Sequence, residues 1–126
     1  MKLHLDTARE FNLISGHGPG YILVNGQRHE RNLLVLPDEV FTHWSAHKHF
    51  ITLGPEDFDA VLARDPEIVL LGTGQEQRFP HPSLYQRLLA ARIGVEIMST
   101  PAACRTYNIL AGEGRRVAAA LLLDTP

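Results

Sequence analysis

The chain has 126 residues, 44% of them hydrophobic and 21% charged, with a formal net charge of −2. That length suits one domain over residues 1–126, with a core that buries roughly two-thirds of the unfolded surface. The lack of a basic excess argues against a nucleic-acid partner, and a single cysteine, Cys104, excludes an internal disulfide.

In chain order, residues 1–12 hold no apolar core of signal-peptide length. Asp6 and Glu10 stand where a mitochondrial import segment avoids acids. The stretch GPGYILVNGQRHERNLLVLP reads as β-structure. An apolar run at Tyr21–Val24 meets Asn25-Gly26, the strongest short-range hairpin signal, and the return runs through 27–31 into NLLVL at 32–36. Pro37-Asp38 stops it. Residues 39–53 predict a short strand and a loop. GPEDFDAVLARDP, 54–66, predicts a helix that starts at Pro55 and buries Phe58, Val61 and Leu62.

From there the pattern is β-α-β-α-β. EIVLLG at 67–72 is an unbroken apolar strand of the fully buried kind. HPSLYQRLLAARIG at 81–94 predicts a helix with Leu84, Leu88 and Ala91 on one stripe and Gly94 as its cap. VEIM at 95–98 is a strand, a helix follows over about 101–111, and RRVAAALLL at 115–123 is the last strand. Such alternation predicts a mixed or mostly parallel central sheet covered by helices, with strands 68–71 and 95–98 as parallel neighbours. The N-terminal third either extends the sheet edge or forms a second small sheet. VAAALLL, the longest apolar run, is too short to span a bilayer, so a cytoplasmic protein without membrane insertion is expected.

Gly72-Thr73-Gly74 at the strand exit raises the question of a phosphate loop. A dinucleotide motif fails, because Gln77 stands at its third glycine and Pro80 and Pro82 prevent a helix from starting within it. Ser99-Thr100 follows the next strand where a ribose-binding acid would stand, and no Gly-Lys-Ser/Thr follows the glycines. Two readings stay open. The glycines serve a tight turn, or Gly72, Thr73 and Gly74 form a small anion or ligand pocket with Ser99, Thr100 and Arg105. In the second, Thr100 caps the helix, Pro101 is its first residue, and its amides meet the anion.

Cys104 lies in the first turns of that helix beside Arg105, which makes a reactive thiol one reading. The helical wheel gives the other: Ala103, Cys104, Tyr107, Leu110 and Ala111 share one arc and pack together. His43, His47 and His49 cluster in HWSAHKH and are the candidate metal ligands, but no His-Glu-x-x-His pattern accompanies them. Trp44 and Phe50 flank them as core or as partner surface. No serine sits in a Gly-x-Ser-x-Gly elbow, so no complete catalytic constellation is read.

PEIVLLGTGQEQRFP at 66–80 and GVEIMSTPAACRTYNILAGEGRRVAAALLL at 94–123, with VNG and NLLVLP in register, resemble a small α/β family found in bacteria, archaea and mitochondria. Its mitochondrial member is an assembly factor for respiratory complex I, NADH:ubiquinone oxidoreductase, and an animal member is linked to fat-cell differentiation. The resemblance covers nearly the whole chain. It implies a three-layer α/β fold with a central mixed sheet and a smaller sheet on one side. It also implies no catalytic residues and no cofactor. Bacterial members lie near protein-export genes, which implies membrane-protein biogenesis, and without an import segment a bacterial member is expected. The expected function is that of a non-enzymatic accessory protein acting through protein partners, among them membrane-complex or export components. The alternative is a small-ligand or anion-binding protein, an enzyme included, with a pocket between the 72–74 and 99–105 segments.

Overall fold

The computed structural model describes residues 11–45 and 48–123. His47 and the import-type reading of the first ten residues therefore lie outside the described residues. Among the described residues, eight strands form two sheets. Strands β1 (Ile14–Gly18), β2 (Tyr21–Val24) and β3 (Gln27–His29) make a small antiparallel sheet in chain order. Strands β4 (Leu33–Leu36), β5 (Glu39–Phe41), β6 (Ile68–Gly72), β7 (Gly94–Met98) and β8 (Val117–Leu121) make a mixed sheet ordered β5–β4–β8–β6–β7.

The last strand in the chain thus lies in the middle of the large sheet. It runs antiparallel to β4, with Leu34 opposite Ala120, and parallel to β6, with Leu71 opposite Ala120. β6 and β7 are parallel neighbours as the pattern predicts, with Leu71 opposite Ile97. Strands β4 and β8 are buried along their whole lengths, as is β6 from Val69 to Gly72, which explains runs of unbroken apolar sequence without alternation.

Two cores result. Leu34, Leu36, Val69, Leu71, Ala118 and Ala120 point to one face, where Trp44, Phe58, Val61, Leu84 and Leu88 cover them. Leu33, Val35, Leu70, Ala119 and Leu121 point to the other, against Ala103, Cys104, Tyr107 and Ala111 of the long helix α3 (Thr100–Gly112). Beyond that helix, Ile14, Ile22 and Val24 of the small sheet complete the cluster. The α3 stripe is the one the wheel predicts, with Arg105 and Ile109 exposed. Asn108 docks the helix on β1, accepting from the Ile14 amide at 2.9 Å and donating to the Ile14 carbonyl at 2.8 Å. The Tyr107 hydroxyl donates to the Asn12 carbonyl at 2.7 Å.

Some local expectations shift. The hairpin turn is present, with Asn25 at φ 52° and Gly26 at φ 82°, the left-handed values that Asn and Gly supply. Its return does not run on into 32–36. It ends at His29, and the chain crosses to the large sheet. The helix expected over 54–66 is a 3₁₀ turn, Pro55–Phe58, followed by the short α1 (Asp59–Leu62). The helix expected over 81–94 is likewise a 3₁₀ turn, Pro82–Tyr85, followed by α2 (Gln86–Ala90). Leu84 and Leu88 face the core, while Ala91 is exposed. Gly94 is not its cap: Arg92 takes the left-handed position at φ 64°. The Ile93 amide then bonds the Leu88 carbonyl and the Arg92 amide the Leu89 carbonyl, a Schellman closure.

Candidate functional site

The 72–74 and 99–105 segments do meet, at the carboxyl end of β6. Thr73 donates its amide to the Met98 carbonyl at 2.9 Å. The Gly74 amide donates to Thr100 Oγ1 at 2.9 Å, and the Thr100 amide donates back to the Gly74 carbonyl at 2.7 Å. Thr100 Oγ1 in turn donates to the Leu122 carbonyl at 2.8 Å. The buried Thr73 hydroxyl donates to the Glu76 carbonyl and accepts from the Arg78 amide at 3.0 Å. The helix cap is Ser99, one residue earlier than expected. Its hydroxyl accepts from the Ala102 amide at 3.3 Å and its carbonyl from the Ala103 amide at 2.9 Å.

These bonds use up backbone donors of the loop. A loop that cradles phosphate presents free amides. Here the Thr73, Gly74, Thr100, Ala102 and Ala103 amides all have partners inside the protein, and Pro101 has no N–H to offer. Gly72 is required by close approach: a Cβ there would lie 2.8 Å from Thr100 Oγ1 and 3.0 Å from Thr100 Cα. The glycine lets the start of α3 press onto the end of β6, which is a packing task.

Arg105 is exposed and borders a different cleft, of about 410 Å³, with Ser15 and His17 of β1. Cys104 lies at its floor, buried. Burial pushes its thiol up to about 12, with Arg105 pulling weakly the other way, so the group stays a neutral thiol in neutral water. His43 is exposed beside the Phe41 ring, centroids 6.2 Å apart, and borders a cleft of about 600 Å³ with Arg28 and His29. His49 is exposed and precedes a 3₁₀ turn, Phe50–Thr52. Among the described residues no three His, Cys, Asp or Glu side chains gather as metal ligands would.

A second polar cluster was not read from the sequence. Buried Asn32 donates to the Ser45 and Lys48 carbonyls, each at 2.7 Å, and accepts from the Leu123 amide at 2.8 Å. Asp57 accepts from Ser45 Oγ at 2.7 Å, Lys48 Nζ at 2.9 Å and the Gly54 amide at 2.8 Å, while its carbonyl accepts the Trp44 indole at 2.7 Å. Burial alone would raise the Asp57 carboxyl, but the Gly54 amide, Lys48 and Ser45 outweigh it and hold the carboxyl below its usual value. The Asp57 carboxylate also raises the Lys48 ammonium. One signal was available: Asp57 stands three residues after Gly54, the spacing at which an acid reaches back to a helix's first amide. These contacts hold Ser45 and Lys48, and Phe50 and Ile51 follow Lys48 in the chain. Ile51 is 86% exposed and Phe79 is 81% exposed, both missed as surface groups. The Arg78 guanidinium lies 5.7 Å from the Phe50 ring centroid and brings their two loops together.

A family model described as "Protein of unknown function (DUF498/DUF598)" matches residues 14–122. The chain is 36% identical over 90 residues to the mouse NADH dehydrogenase [ubiquinone] 1 alpha subcomplex assembly factor 3, covering 70% of the chain and 48% of that protein. It spans about half the length of that relative. It is 27% identical over 103 residues to the 13 kDa major membrane protein of Francisella tularensis, covering 82% of the chain and 84% of that protein. A crystal structure of a Bordetella parapertussis protein superposes with a TM-score of 0.83 at 37% identity, covering 90% of this chain and 97% of that one. No helix among the described residues is long and apolar enough to cross a membrane.

Proposed function

Because the chain belongs to the DUF498/DUF598 family of proteins of unknown function, and is similar to an assembly factor of NADH dehydrogenase, we propose that it is a non-enzymatic accessory protein acting by partner binding. Its partners belong to the biogenesis of a membrane complex, a respiratory one by the name of the mouse relative, and it works from the cytoplasm. The observation that carries the reading is the pair Ile51 and Phe79. Large apolar side chains this exposed, on two loops in contact with each other, offer the kind of surface a partner covers.

The test is complementation in the source cell. Deletion is expected to lower the amount of assembled membrane complex resolved on native gels. The wild-type chain restores it, and a chain carrying Ile51→Ser with Phe79→Ser does not, although it folds normally. An unchanged complex in the deletion strain would remove the proposal. Fractionation checks the location, with the chain expected in the soluble fraction after the membranes are washed.

A further inference from the structure

Strand β7 forms one edge of the large sheet. The Gly94 amide bonds the Glu67 carbonyl and the Met98 carbonyl accepts the Thr73 amide, so both residues turn their backbone groups toward β6. Alternate residues of a strand do the same, which places Glu96 with them and turns the backbone groups of Val95 and Ile97 outward. On that outer side the Gln77 side-chain amide donates to the Ile97 carbonyl at 3.1 Å. A side-chain donor thus occupies the position that a neighbouring strand's N–H would take. Exposed sheet edges are usually blunted by Pro, Lys or a bulge. Residues Gly94–Met98 contain no proline and no lysine, and they pair with β6 in unbroken register. Two residues beyond Gln77 stands the exposed Phe79.

Charge selects the occupant. In a full-overlap antiparallel pairing of two copies, outward Val95 meets outward Ile97 of the second copy. Exposed Glu96 then lies opposite Glu96 of that copy, and like charges directly opposite each other are unfavourable. Lys or Arg at that position is favoured instead. We infer that β7 is a docking edge for an extended segment of a partner protein, which adds as a sixth strand in place of the Gln77 amide, sets Lys or Arg opposite Glu96 and rests an apolar residue on Phe79. This rests on the partner-binding reading and names the chemistry of the partner.

Short random peptides displayed on phage and selected on the immobilised full chain provide the test. Selected sequences are expected to carry Lys or Arg flanked by β-forming apolar residues, and to slow amide exchange at Val95 and Ile97. Their affinity is expected to fall about tenfold for Glu96→Lys, an exposed change that leaves the fold intact. It falls also for Val95→Pro, which removes an outward N–H, and rises for Gln77→Ala. Failure to select any peptide, acidic or uncharged selected peptides, unchanged exchange at Val95 and Ile97, or equal binding to Glu96→Lys would overturn the inference. So would a dimer of the free chain that Val95→Pro dissociates. In cells the two readings separate: loss of function in the Ile51/Phe79 variant with full function in Glu96→Lys and Val95→Pro removes the strand edge alone. Full function in all of these variants removes both.

Discussion

One peptide plane, between Leu122 and Leu123, is held from both sides, and the two sides are built differently. Its carbonyl goes to Thr100 Oγ1, in a buried knot of neutral hydroxyls and backbone at the start of α3. Its amide goes to Asn32 Oδ1, which leads through Ser45 and Lys48 to the Asp57 carboxylate. The neutral knot has nothing that titrates in ordinary buffers. The other contains a carboxylate and an ammonium that depend on each other. The same strand end is therefore secured by one device indifferent to pH and by one that responds to it.

The largest effect expected is on the neutral side. Thr100→Val keeps the shape but leaves the Gly74 amide and the Leu122 carbonyl buried without their partner, a loss of about 4 kcal/mol that denaturant unfolding would read. Gly72→Ala, whose Cβ meets the Thr100 backbone, is expected to cost about 2 kcal/mol by the same measurement. On the charged side, Asp57→Asn is expected to cost about 1 to 2 kcal/mol at neutral pH.

The sign of the pH dependence follows from the directions of the shifts. The Asp57 carboxyl is held below the ordinary 3.8, so its contribution is present above that value and disappears as pH falls through the lower folded value. The Lys48 ammonium is raised above 10.5, so its contribution is present below 10.5 and disappears as pH rises through the folded value. Melting curves across pH should show wild type losing stability at both ends more steeply than Asp57→Asn. Thr100→Val should instead lower the whole profile without changing its shape. A profile altered in shape by Thr100→Val would break the contrast between the two knots. Smallest of all, Phe79→Ser should change stability by under about 0.5 kcal/mol while changing binding, since the side chain is 81% exposed.

The same contrast marks what was legible in the amino-acid sequence. The α3 stripe follows from helical periodicity, the buried strands from unbroken apolar runs, the parallel pair β6–β7 from the β-α-β order and the hairpin turn from Asn25-Gly26. The juxtaposition of 72–74 with Ser99 and Thr100 also follows, since parallel neighbours end side by side. The consumption of their amides does not follow, because it depends on a Thr100 rotamer and on Leu122, a strand away. The middle segment was opaque for a related reason. Residues 42–45 and 48–57 are tied down by Asn32 and Trp44 bonding to distant backbone and by the Asp57 carboxylate bonding to Ser45, Lys48 and Gly54, which leaves no period to read. Helices 54–66 and 81–94 broke into 3₁₀ and α pieces because each needs only one buried turn over the sheet.

The position of β8 has a consequence for how the chain emerges from the ribosome. Residues Val117–Leu121 separate β4 from β6, so until they are made the large sheet exists only as two unconnected pairs, β4 with β5 and β6 with β7. Each pair exposes an apolar edge meant for the same late arrival. The cores on both faces each include residues of β8 and are therefore expected to close only once it is in place. Stalled or truncated products that stop before Val117 are therefore expected to be sticky half-sheets that chaperones and proteases recognise.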